Sequence, residues 1–225
     1  TDEALIFLES TLEELADKRR LRLIYARMLF EAERLVDAEK QYEQVHQQAP
    51  NDSDILFALA LISMEQGKDE SAKGYLNQMI RFNRRANEAH YYLGSIADKN
   101  DEIPQAISEY KMVGPGREFL AAQVRIAALL ADQGRLDDAR AHLENQRANN
   151  PDRYNRLVMI EGQLLSERGH ETEFFELLEM VIKKQPENVE LLYFRAMAGQ
   201  SLGRLDVLEQ DLLRVIEIDP GNADA

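Results

Sequence analysis

The chain has no cysteine and no tryptophan, only three threonines and six prolines, and fewer cations than acids. Without cysteine, disulfides, thiol nucleophiles and cysteine-based zinc sites are excluded, and the redox compartment stays open, because such a chain suits cytosol and periplasm alike. The scarcity of threonine, set beside 30 Leu, 25 Ala and 25 Glu among 225 residues, argues against a sheet protein and for helix. No apolar run approaches the roughly 18 residues that a membrane span needs. With 27 basic residues against 41 acidic, the net charge of −14 opposes a broad nucleic-acid-binding surface, since phosphate contacts need clustered cations. Hydrophobic residues still make up 44%, enough for a real core.

Reactive constellations are missing as well. His46, His90, His142 and His170 lie far apart in sequence, and none has a partner at metal-ligand spacing. His170-Glu171 opens like a zincin motif, but no second His follows. Gly114-Pro115-Gly116 lacks the Lys-Ser/Thr of a phosphate loop and follows a helical pattern, not a strand. There is no G-x-S-x-G and no GxGxxG. Carboxylates such as Glu13-Glu14 and Asp137-Asp138 are adjacent, so they do not face each other across a site. Solvated helix faces and caps account for these residues, and the reading is no enzyme, no cofactor and no metal site.

What the chain has in abundance is self-similarity. Alanine recurs at Ala4, Ala38, Ala72, Ala106 and Ala139, in steps of 34, 34, 34 and 33. A second small-residue column runs Ala26, Ala60, Gly94, Ala127, Gly162 and Ala196, in steps of 34, 34, 33, 35 and 34. Glycine marks a turn at Gly67, Gly134, Gly169 and Gly203, and proline closes the unit at Pro50, Pro151, Pro186 and Pro220. In one unit, residues 119–130 carry apolar side chains at helical spacing and Gly134 suits the left-handed position after a helix end. Asp137 or Asp138 then places a carboxylate at the next helix start. Two helices approach to about 8–9 Å only where the contact residue is Ala or Gly, so the columns mark helix–helix contacts. The pattern predicts an all-α chain of helix-turn-helix units.

This pattern resembles the tetratricopeptide repeat (TPR), a 34-residue helix-turn-helix that stacks into a right-handed superhelix, an α-solenoid. The match extends to the large residue four after the first alanine column, at Leu8, Tyr42, Leu76, Tyr110, Leu143, Leu178 and Leu212. Six repeats are expected, at 19–52, 53–86, 87–119, 120–154, 155–188 and 189–222. Residues 1–17 then read as the second helix of a truncated preceding repeat, and 223–225 as the start of a following one. A chain that begins at Thr1 without Met or leader and stops after Asp219-Pro220-Gly221 reads as a segment of a longer protein.

The resemblance implies a partner-binding groove lined by the fifth and ninth residues of each first helix. The fifth are Leu23, Phe57, Tyr91, Val124, Met159 and Tyr193, and the ninth are Arg27, Leu61, Ser95, Ala128, Gln163 and Met197. The Lys, Asn and Arg clamp of chaperone-binding members is missing apart from isolated arginines such as Arg27 and Arg125. The groove should therefore prefer segments with apolar side chains over an acidic C-terminal tail. Phe57, Tyr91 and Met159 would serve equally well to complete packing between repeats. The basic stretches at 18–22 and 81–85 read as helix-end charges rather than phosphate sites.

Several positions depart from the pattern. Phe174 and Leu208 stand where a small alanine is expected, so the last two hairpins should pack with wider spacing. Glu161 and Arg195 occupy a normally apolar position in neighbouring repeats, where they are expected to lie within pairing reach of each other. Met112-Val113-Gly114-Pro115-Gly116-Arg117 should end the third repeat's second helix about a turn early, because Pro115 cannot continue it.

The strings Glu88-Ala89-His90-Tyr91-Tyr92-Leu93-Gly94, Gly114-Pro115-Gly116 with Phe119-Leu120-Ala121-Ala122-Gln123, and Leu202-Gly203-Arg204-Leu205-Asp206 resemble a proteobacterial TPR lipoprotein family. That resemblance implies an adaptor at the periplasmic face of the outer membrane, bringing substrate proteins to a carboxyl-terminal processing protease. A cytosolic TPR module for a chaperone or cell-division complex is the first rival. An RNA-binding helical repeat of the pentatricopeptide type, opposed by the charge, is the second.

Overall fold

In a computed structural model, which describes residues 2–14 and 18–221, the periodic segments form helices and the glycine and proline columns fall between them. Helix α1 (Asp2–Glu14) is followed by six consecutive pairs. These are α2 (Arg19–Glu31) with α3 (Leu35–Gln48), α4 (Ser53–Glu65) with α5 (Asp69–Arg81), and α6 (Ala86–Lys99) with α7 (Ile103–Lys111). They continue with α8 (Phe119–Asp132) and α9 (Leu136–Asn149), α10 (Tyr154–Ser166) and α11 (Glu171–Ile182), and α12 (Val189–Ser201) and α13 (Leu205–Ile218). Among the described residues there are thirteen α-helices, one short 3-10 turn at Pro151–Arg153, and no strand. The fold class is all-α. The expected following repeat at 223–225 lies outside the described residues, as do 1 and 15–17 of the leading segment.

One backbone device closes all six first helices. A residue in the left-handed region donates its N–H three residues back, and the next N–H reaches five residues back, which satisfies carbonyls the helix end leaves open. The five-back bonds are Arg34 to Leu29, Lys68 to Ser63, Glu102 to Ala97, Arg135 to Leu130, His170 to Leu165 and Arg204 to Gly199. Gly67, Gly134, Gly169 and Gly203 hold φ of 71 to 76° at the turn. Glu33 and Asp101 hold φ of 58° at the two remaining turns, so the glycine column has six members of which two are not glycine. Helix starts are less uniform: Asp52 caps α4 by accepting from Asp54 N at 3.1 Å, and Asn188 caps α12 by accepting from Leu191 N at 3.1 Å.

Backbone proximity divides the chain into two units, Thr1–Ala122 and Gln123–Ala225, with the boundary inside α8. The core of the first is aliphatic: Leu29, Val45, Leu59 and Ile62 fill the space between α2, α3 and α4, and Leu76, Met79, Leu93 and Ile96 that between α4, α5 and α6. Ala26, Ala38, Ala60, Ala72 and Ala106 are fully buried at the helix contacts. Gly94 holds the same role by a tighter fit, because the Tyr110 ring lies on it and a Cβ there would come within 2.8 Å. Helix α7 ends early, at Lys111, as Pro115 requires. The loop after it is clasped by Asn87, whose amide donates to Gly114 O at 3.2 Å and accepts from Gly114 N at 3.0 Å.

The second unit packs Val158, Phe175, Leu178, Val181, Leu191 and Val215 between α10, α11, α12 and α13, with Ala127, Ala139 and Ala196 buried at the expected small positions. Phe174 is accommodated by Gly162: a Cβ on that glycine would meet the Phe174 ring at 2.2 Å. The expected wider spacing holds for one hairpin and fails for the other. Helices α10 and α11 run close over less of their length, whereas α12 and α13 approach as closely as the pairs of the first unit. Leu208 is only half-buried, and the α12–α13 contact is made at Gly199, where a Cβ would stand 3.7 Å from Val207 Cβ.

The expected pairing of Glu161 with Arg195 is not what forms. Buried Glu161 accepts from Arg140 at 3.0 Å and from Arg147, both on α9. Arg195 instead holds buried Asp211 of α13 through two hydrogen bonds, at 2.6 and 2.8 Å. Each side chain turns toward a second helix rather than along the row of first helices, and each finds its counter-ion there.

Candidate partner-binding faces

In the first unit, α2 and α4 bring Arg27, Phe57 and Leu61 to the rim of one cavity of about 420 Å³. Phe57 and Leu61 are half-buried, and Arg27 is exposed. Phe30, Tyr42 and Ala58 complete an apolar wall, and Asp54 and Arg85 stand on the polar side. Arg85 is fixed from three directions: its guanidinium bonds Asp54 at 2.9 Å, bonds Glu88 at 3.0 Å, and lies 4.2 Å over the Phe57 ring. It holds φ of 50° at the start of α6. Burial pushes the Tyr42 phenol above its ordinary range, while the Arg27 guanidinium beside it pulls the other way.

Leu23 does not line that cavity. It shares two smaller hollows with Arg27, of about 210 and 180 Å³. Tyr91 is drawn into an aromatic ladder, edge-on to Tyr92 at 5.5 Å and tilted against Tyr110 at 5.6 Å, and Phe57 meets Tyr92 at 5.2 Å. Its neighbour Tyr92 has its phenol raised, first by burial and then by Tyr91. Tyr91 thus packs, and Ser95 is half-buried one turn further along α6.

In the second unit, Val124 is exposed on α8, Met159 and Ala128 are half-buried, and exposed Gln163 donates to Glu167 at 2.8 Å. Tyr193 packs against the core edge-on to Phe194. Met197 lines a hollow of about 190 Å³ with Phe174 and Phe194. The four histidines are dispersed: His90 meets Glu109 at 2.8 Å, His142 meets Gln123 at 2.7 Å, His170 meets Glu173 at 2.9 Å, and His46 lies edge-on to Tyr75. Among the described residues no three acids or histidines gather to hold a metal. Two members of the basic stretches are engaged at helix ends, Arg19 with Asp52 at 2.8 Å and Arg85 as above.

Sequence reasoning missed Arg85 and Asp54, because their meeting depends on a left-handed residue that nothing in the local sequence marks. Tyr42 was visible as the repeat's large residue, and its second role on the cavity wall was not.

A helical repeat that presents apolar and aromatic side chains on its first helices is the class these features define, and comparison with known proteins agrees. Residues 29–96 match the family model described as Tetratricopeptide repeat. Over 135 residues, 60% of this chain, the sequence is 36% identical to a TPR repeat-containing protein of Pseudomonas aeruginosa. The match spans 23% of that relative's length. Among solved structures, a tetratricopeptide repeat protein from Parabacteroides merdae superposes with a TM-score of 0.56 at 17% identity, covering 98% of this chain and 87% of that one. Pseudomonas aeruginosa PilF gives 0.53 at 11% identity, covering 91% and 93%. The fold is that of tetratricopeptide repeat proteins, which are typically interaction modules.

Proposed function

We propose that the chain is a non-catalytic adaptor that binds segments of other proteins on the apolar-aromatic faces of its first helices. The observation that carries this reading is the convergence of Arg27, Phe57 and Leu61 on one open cavity of a size that takes a large side chain. The finer reading is an adaptor facing the periplasm at the outer membrane, delivering substrates to a carboxyl-terminal processing protease. It is supported by the quoted strings that resemble the lipoprotein family. A pull-down from an envelope extract with the full-length protein tests both levels. The expected result is capture of a carboxyl-terminal processing protease, lost when Phe57→Ala and Leu61→Ala are combined in a variant of unchanged helicity. Capture of cytosolic chaperone or division proteins instead would overturn the envelope reading. Undiminished capture by the folded variant would remove recognition from this face.

A further inference from the structure

Arg27 stands where three concavities of the first unit meet: the 420 Å³ cavity and the two smaller hollows. Its exposed guanidinium lies beside the Tyr42 phenol, and among the described residues no carboxylate reaches it at ion-pair distance. The two acids that share a hollow with it are already taken, Asp52 by Arg19 at 2.8 Å and Asp54 by Arg85 at 2.9 Å. Two turns earlier on α2, exposed Arg20 is also without an acid partner among the described residues, and it lines the 210 Å³ hollow with Leu23, Ile24 and Met28. Residues seven apart share a helix face, so α2 presents on one stripe two cations without an acid partner among the described residues, with apolar floor on either side. In a chain of net charge −14 this is a local inversion of sign.

We infer that this face takes an internal acidic-apolar segment of a partner protein, one that sets an Asp or Glu side chain on Arg27 between two bulky apolar side chains. One of these enters the cavity against Phe57 and Leu61, and the other enters the hollow at Leu23 and Ile24. The inference rests on the adaptor reading above and adds the chemistry of the bound segment. A guanidinium and a carboxylate form the stronger, charge-assisted kind of hydrogen bond, and apolar anchors in flanking hollows exclude water from it. The same field disfavours basic segments.

The test pans a display library of short random segments, fused at their C-terminal ends so that no free terminus is offered, against the 225-residue chain. Selected segments are expected to carry Asp or Glu flanked by bulky apolar residues. Arg27→Gln should weaken a selected segment about ten-fold and erase the acidic preference, and Arg27→Lys should recover most of the loss. Phe57→Ala should weaken the same segment and leave the acidic preference intact. Because Arg27 is exposed, its variants keep the fold, which circular dichroism checks. Apolar segments without an acid, or an acidic preference unchanged in Arg27→Gln, would overturn this inference and leave the adaptor reading standing. Binding only by peptides with a free C-terminal carboxylate, offered in a second arm, would overturn it too. Failure to select any segment would overturn both.

Discussion

The two units share one hairpin and one turn, yet they treat charge in opposite ways. Among the described residues the first unit buries, besides tyrosines, a single polar side chain, Ser63, whereas the second buries Gln123, Arg147, Asn150, Glu161 and Asp211. In the second unit arginines are consumed internally: Arg140 and Arg147 neutralise Glu161, and Arg195 neutralises Asp211, whose carboxylate holds that guanidinium above its ordinary range. In the first unit the interior asks for no counter-ion, so Arg20 and Arg27 remain at the surface beside open hollows. A buried pair adds little net stability over an apolar one, but breaking it is costly, so the second unit's arginines are bound to the fold. Arg20 and Arg27 of the first, which no acid among the described residues holds, are available for a partner.

The largest effect should come from breaking the internal pairing. Glu161→Ala strands Arg147, whose side chain is 8% exposed, and should cost about 3–5 kcal/mol in denaturant unfolding. Replacing both, Glu161→Leu with Arg147→Met, should recover most of that loss. If the double variant is as unstable as the single one, the pair is not what matters there.

Next in size is the glycine seat. Gly162→Ala drives a Cβ into the Phe174 ring and should cost about 1–3 kcal/mol, and Phe174→Leu should restore it. Ala60→Leu in the first unit should cost a similar amount by overpacking a fully buried contact. Unchanged melting of Ala60→Leu would contradict the repeat register, and with it the assignment of the cavity.

The smallest effect has the opposite sign. Glu33 holds a left-handed backbone that four other turns give to glycine, so Glu33→Gly should stabilise the first unit by about 0.5–1 kcal/mol. Asp101→Gly should gain less, since aspartate tolerates that region better. Destabilisation by both would mean that the side chains contribute contacts outweighing the strain.

Most of the fold was legible in the sequence, and the reason is steric. Contacts that admit only Ala or Gly leave a column, as Ala26, Ala60 and Ala127 do, and a proline beyond the first turn, such as Pro115, ends a helix. What stayed hidden depends on how side chains pair across the second helices. Glu161 and Arg195 are equivalent by position, but Arg147 lies 14 residues before one and Asp211 lies 16 after the other, and no periodicity predicts that choice. The candidate site divides along the same line. Arg27, Phe57 and Leu61 follow from repeat position, whereas Arg85 enters through a backbone turn, and Tyr91, equivalent to Phe57, joins the same aromatic ladder without lining the cavity.

The most direct measurement compares affinity for the protein captured from the envelope between two full-length variants. One carries Phe57→Ala with Leu61→Ala in the first unit, and the other carries Tyr193→Ala with Met197→Ala in the second. Loss of interface anchors typically costs about 2 kcal/mol, roughly thirty-fold in Kd, so the first variant should fall by at least that much at matched helicity. The second should keep wild-type affinity. Wild-type binding by the first variant, with binding lost in the second, would contradict the assignment of recognition to the unit that presents Arg20 and Arg27 beside open hollows.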